Sequence, residues 1–155
     1  MRSLLIIITT VVLGVAVNAQ DAGVHARHLN LEKGLAIQGY DPVSYFQGKA
    51  AKGSKEHTVN HQGTIYYFVS AANAGAFKRE PAKYEPQYGG WCAYAMGAKG
   101  EKVSVDPKTY KITGGKLYLF YNRFFNNTLE DWNEDEKGLQ GKADINWQKI
   151  NTPNK

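Results

Sequence analysis

Cysteine is almost absent: Cys92 is the only one in 155 residues. No internal disulfide can form, so stability must come from packing. Long apolar runs are scarce as well. The longest, residues 4–17, is shorter than the roughly 20 residues a membrane-spanning helix needs. No cysteine follows that run, which excludes a lipid anchor attached there through sulfur. Basic residues outnumber acidic ones by 19 to 14 for a formal charge of +5, but they do not cluster. Without a basic stripe interleaved with aromatics, nucleic acid is not an expected partner. A phosphate-cradling loop is missing too, because Gly89-Gly90 lacks the following lysine and hydroxyl. Those glycines instead suggest close backbone approach beneath Trp91.

The aromatic content fills the gap left by disulfides, with ten tyrosines, six phenylalanines and three tryptophans. At the N-terminus, Arg2, an apolar run and Val17-Asn18-Ala19 have the form of a signal peptide cut after Ala19. The expected organisation is a leader over residues 1–19, a polar extension over 20–38, one domain over 39–150 and a tail over 151–155. Removing Arg2 with the leader takes the formal charge from +5 to +4. A mature chain of this size has room for one core. Its expected location is periplasmic or secreted, with no membrane association once the leader is gone.

The densest pattern lies in residues 64–95. Ile65, Tyr67 and Val69 alternate with Tyr66 and Phe68, which predicts an internal strand. Ser70 is placed to cap a helix that carries Ala74 and Phe77 on one face and ends before Pro81. Upstream, residues 20–33 read as polar, weakly helical and loosely attached. Asp41 and Pro42 open a short helix closed by Gly48. Residues 55–61 alternate as a strand, with Gln62-Gly63 turning into Thr64. A second hairpin flanks Gly114-Gly115. Thr128 is expected to cap an acidic helix with Asp131 as its capping-box partner and Leu129 and Trp132 facing inward. Ala143, Trp147 and Ile150 repeat at helical spacing near the C-terminus. The fold class is α+β: a small antiparallel sheet of hairpins, short helices and a C-terminal helical segment.

Several of these motifs, in this order, resemble the YHS domain: Asp41-Pro42-Val43, Tyr66-Tyr67-Phe68-Val69-Ser70, then Phe77, Pro81 and Tyr84. The stand-alone, exported YHS proteins are a closer likeness, through residues 86–93 and the Gly-Lys-Leu-Tyr-Leu strand at residues 115–119. The resemblance implies a presumed metal-binding role for family members with cysteines at three motif positions. Here those positions hold Ser44, Val69 and Asn73, so the thiolates such a site needs are missing.

Other candidate ligands follow from spacing. Cys92 and Met96, four apart, would share one helical face and are soft donors suited to Cu(I); equally, they are common core fillers. His57 and His61 are too far apart on a strand, about 13 Å, to hold one ion. His25 and His28 would share a helical face, but a polar tail does not fix ligand geometry. Residues 130–136 carry the only close carboxylates and read as a solvated face rather than an acid–base pair. Together these features point to a non-enzymatic, exported module binding a small ligand, a soft metal or a partner protein. The alternatives are a thiol-based redox protein acting through Cys92 and a purely structural or interaction domain.

Overall fold

A computed structural model of the protein describes residues 26–152. The expected leader, residues 20–25 with His25, and residues 153–155 of the tail lie outside the described residues. The architecture is α+β, with small, largely antiparallel sheets, short helices and a C-terminal helix.

Strands β1 (Leu31–Glu32), β2 (Leu35–Ala36), β3 (Ser54–His61) and β4 (Thr64–Phe68) form a sheet ordered β1-β2-β4-β3. β4 is internal, as its two apolar faces predict. Tyr66 and Phe68 are buried beneath it, while Ile65 and Tyr67 are half-covered and Val69, just past its end, is exposed. Gln62 and Gly63 make the β3–β4 turn at φ +49° and +81°. The sheet departs from the expected antiparallel pattern at one edge, where β2 runs parallel to β4 with Leu35 opposite Ile65. Nor is the described part of residues 20–33 loose. Lys33 and Gly34 reverse the chain with positive φ, and Gly34 O accepts from Ile65 N at 3.1 Å. The few leucines of this polar stretch suffice to fix short strands once a sheet edge is available.

Helix α1 (Pro42–Phe46) starts at Asp41 and α2 (Ala71–Arg79) at Ser70, whose hydroxyl accepts from Asn73 N at 3.1 Å. Ala74 and Phe77 face the core from α2. The short α3 (Pro81–Tyr84) follows, then α4 (Ala93–Lys99), closed by Gly100 in the left-handed region. β5 (Asp106–Thr113) and β6 (Lys116–Phe120) form the Gly114-Gly115 hairpin. A smaller hairpin, β7 (Asn122–Arg123) and β8 (Asn126–Asn127), leads into α5 (Thr128–Glu134) and α6 (Glu136–Asn151).

The cap of α5 sits one residue earlier than predicted. Asn127 accepts from Leu129 N and donates to Glu130, an Asn–Glu capping pair in place of Thr128 and Asp131. Thr128 turns inward, its hydroxyl donating to Tyr121 O at 3.0 Å. The acidic stretch is not one helix, because Asp135 breaks it and caps α6 through Gly138 N. Along α6, Ala143 is buried and Trp147 and Ile150 are half-buried against the body, as their spacing predicts. α4 crosses α6 at Gly97, where a β-carbon would stand 2.5 Å from Leu139 O. Only glycine permits that approach.

β6 divides the interior. Leu117 and Leu119 pack into one apolar cluster with Phe68, Phe77 and Cys92. Tyr118 and Phe120 point the other way, into a second cluster with Met96, Trp132 and Ala143. The two-residue period of a strand thus builds two cores from one segment.

Glu136 ties β5 to the helices. Its carboxylate lies 2.8 Å from Lys111 Nζ and accepts from the Thr113 hydroxyl and Trp132 Nε1. These bonds, the one from Lys111 foremost, hold the Glu136 carboxyl below the usual range. A depressed folded-state pKa contributes stability that is present above the ordinary glutamate range and lost as pH falls through the folded value. Glu136→Gln is therefore expected to destabilise the protein near neutrality, with the gap to wild type closing on acidification. Urea unfolding across that pH range checks this; a gap independent of pH would contradict it.

Candidate functional site

A concavity among the described residues arises from a mismatch of chain lengths along β6. Pro86 bridges Leu117 and Cys92 bridges Leu119, both in parallel sense. Two steps along β6 are thus matched by six along the facing segment, and the surplus must leave the plane. It does so as a tight turn over Gln87–Gly90, with Tyr88, Gly89 and Gly90 at φ +55°, +63° and +80°. Gly89 is required there. A β-carbon would meet Trp147 at 2.8 Å and His28 O at 3.1 Å. The close approach foreseen for this glycine pair is therefore beneath Trp147, not Trp91. Residues 28–30 are bound to the same turn. Asn30 N donates to Gly89 O at 2.8 Å, Asn30 Nδ2 to Gly90 O at 3.0 Å, and Trp91 Nε1 to His28 O at 2.7 Å.

The result is a cleft of about 820 Å³ between the N-terminal strands, this turn and the end of α6. Half-buried Trp147 and the edges of the nearly buried Tyr66 and Tyr88 rings are in its lining, with Glu85 and Asp144 as its carboxylates and Lys116 beside them. Tyr66 donates to Glu85 at 2.8 Å and Tyr88 to Asp144 at 2.9 Å. Burial, reinforced by these carboxylates, holds both phenols far above their ordinary range, so they remain donors. Ile37 also lines the cleft, at φ +51°. A β-branched residue in the left-handed region is strained. Its neighbour Gln38, also left-handed, donates to Val105 O at 3.1 Å.

Of the candidate ligands read from sequence, Cys92, Met96, His57 and His61 fall elsewhere. Cys92 and Met96 are both fully buried but face different clusters, so the thiol and thioether do not line one pocket. Cys92 stands at the N-cap of α4, outside the helix on which the shared face was reckoned. Its sulfur lies 3.3 Å from Thr128 Oγ1 and accepts from Tyr121 N at 3.4 Å. The Thr128 proton goes to Tyr121 O, which leaves the thiol as donor to Thr128. His57 and His61 are on β3, where His61 meets the Phe77 ring edge-on. His28 lines the cleft. Among the described residues, no group of three His, Cys, Asp or Glu side chains is arranged to hold a metal ion.

Ser44, Val69 and Asn73 meet in space around Asp41, which the sequence marks as a helix cap and as part of the Asp41-Pro42-Val43 motif. Asp41 is fully buried. Its Oδ1 accepts from Val43 N at 2.8 Å and Ser44 N at 3.3 Å, and its Oδ2 from Val69 N at 2.9 Å and Asn73 Nδ2 at 2.7 Å. The Ser44 hydroxyl donates to Asp41 O and accepts from Ala51 N. A satisfied carboxylate therefore links α1, α2 and the end of β4. The long-range part of this network has no signature in local sequence.

Two stability measurements test these assignments. Asp41→Ala leaves four donors, three of them in buried bonds, without their acceptor and is expected to cost about 3–5 kcal/mol; urea unfolding showing a loss under about 1 kcal/mol would refute the role. Cys92→Ser should lower apo stability by about 1–3 kcal/mol, and Met96→Leu by less than about 1.5 kcal/mol. Cu(I) under reducing conditions should move the melting temperature of neither variant, nor of the wild type. A copper-dependent rise confined to the wild type would restore the soft-metal site, since a ligand of the native state raises its stability.

Among the described residues, no helix is long and apolar enough to cross a membrane. Compared with protein-family models, curated proteins and solved structures, the chain matches none.

Proposed function

We propose that the protein is an exported, YHS-like, non-enzymatic module that binds a small ligand in the cleft between Ile37, Tyr88 and Trp147. One observation carries this reading: Ile37 and Tyr88, both non-glycine residues in the left-handed region, line the same cleft. Each such conformation costs about 1–2 kcal/mol, and strain of this kind collects where a binding surface must be pre-formed. The volume, and a lining that mixes the Tyr66, Tyr88 and Trp147 rings with polar side chains such as Asn30, Glu85, Lys116 and Asp144, suit a small amphipathic molecule. Tyrosine and tryptophan rings beside Glu85 and Asp144 favour a ligand with an apolar body and a hydrogen-bond-donating or cationic end.

The meeting of Ser44, Val69 and Asn73 at Asp41 supports the YHS-like reading, because positions that share a metal must converge. With the carboxylate there already satisfied by backbone and amide donors, a soft metal finds no vacant donor set. A thiol-exchange role draws no support from Cys92, which is 0% exposed and engaged at sulfur. The periplasmic or secreted location rests on the leader pattern.

Native mass spectrometry of the mature protein purified from its own envelope or secreted fraction tests the cleft. The wild type is expected to carry a small-molecule adduct. Ala82→Trp, placed at an exposed lining position of α3, should lose it while melting within about 0.5 kcal/mol of wild type. An adduct that persists in the variant, or none on the wild type, would overturn the proposal.

A further inference from the structure

We propose that Phe124 and Phe125 form a membrane-surface anchor, inserting both rings into a bilayer that presents anionic headgroups. They occupy the two tip positions of the β7–β8 hairpin, whose strands pair Asn122 with Asn127 and Arg123 with Asn126. Both rings stand in solvent, at 89% and 111% relative exposure. Both backbones are left-handed, at φ +53° and +63°. A turn of this geometry favours Asn-Gly, and bulky side chains there are strained as well as unburied. Folding within the chain gains nothing from either ring.

The base of the hairpin is firm. Asn122 Nδ2 donates to Thr109 Oγ1 at 3.0 Å, Thr128 N to Tyr121 O at 3.0 Å, and Asn127 caps α5. The rings are therefore presented on a fixed projection. Size decides between occupants. Two phenylalanines bury at most about 150–250 Å² each, well short of the roughly 800 Å² per partner of a stable protein interface. A narrow aromatic tip does suit the headgroup–acyl boundary, where a depth of about 5–10 Å is enough. Charge complements it, because exposed Arg123 adjoins the rings and the chain without residues 1–19 carries a formal charge of +4, the full +5 less Arg2. This departs from the expectation that the mature chain leaves the membrane altogether, and it is independent of the cleft.

The test is co-sedimentation of the mature chain with phosphatidylcholine vesicles, with and without phosphatidylserine. Wild type should bind the anionic vesicles and only weakly the neutral ones. The double variant Phe124→Asn, Phe125→Gly should bind about tenfold less or weaker, yet melt at a higher temperature because the turn strain is relieved. Loss of binding with a higher melting temperature separates the anchor from a folding defect. No wild-type binding, equal binding to neutral vesicles, or binding retained by the variant would overturn the proposal. So would self-association in the absence of vesicles, seen by light scattering and abolished in the variant, because the rings would then serve a second copy.

Discussion

The structure depends first on β6, a five-residue strand with Leu117, Tyr118, Leu119 and Phe120 all buried. A strand covered on both faces demands an apolar layer against each, and the chain supplies two. The four-stranded sheet with α2 covers the Leu117 and Leu119 side, and α4, α5 and α6 cover the Tyr118 and Phe120 side. One edge of β6 is paired to β5; the other is bridged at Pro86 and Cys92. Because six residues must fit where two would pair, the intervening turn is extruded and becomes a wall of the cleft. The site is thus a consequence of how the core strand is edged, not an addition to the fold.

A second constraint is polar. Burying Asp41 without a cation is tolerable only because four donors converge on it, two from its own helix and two from residues 69 and 73. Charge-assisted bonds of this sort are strong and directional, so they fix the relative placement of α1, α2 and β4. A carboxylate and its amide donors thus cross-link three elements at one buried point.

Local pattern made much of this legible. Alternation in residues 64–68, the Ser70 and Asp41 caps, both glycine-bearing hairpin turns and the inward face of α6 follow from period, capping and turn chemistry. What escaped depends on residues far apart in sequence. The parallel pairing of Leu35 with Ile65 needs β4 to exist before a two-residue strand means anything. The cleft requires residues 28–30, 86–91 and 144–151 together, and no window contains them. Cys92 and Met96 show the opposite failure: their spacing suggested a shared face, but Cys92 lies at the cap, outside the regular helix, and β6 keeps the two in separate clusters. The α5 cap moved by one residue because Asn127 competes with Thr128, and the threonine hydroxyl is better used on Tyr121 O.

Backbone strain sorts the remaining irregularities. Among the described residues, the non-glycine residues with positive φ are Lys33, Ile37, Gln38, Gln62, Tyr88, Phe124 and Phe125. Lys33 and Gln62 each precede a left-handed glycine in a two-residue reversal between paired strands, a place where polar side chains face water at small cost. Gln38 gains a side-chain bond to Val105 O. Ile37, Tyr88 and the two phenylalanines have larger, less tolerant side chains, and none of them sits in a turn that asks for its residue type. Ile37 and Tyr88 are buried, so packing offsets their conformations while fixing the shape of the cleft. Phe124 and Phe125 have no such compensation inside the chain. Strain offset by burial shapes an interior surface, whereas strain left uncompensated at a hydrophobic tip points outward, to a surface the protein meets rather than one it contains.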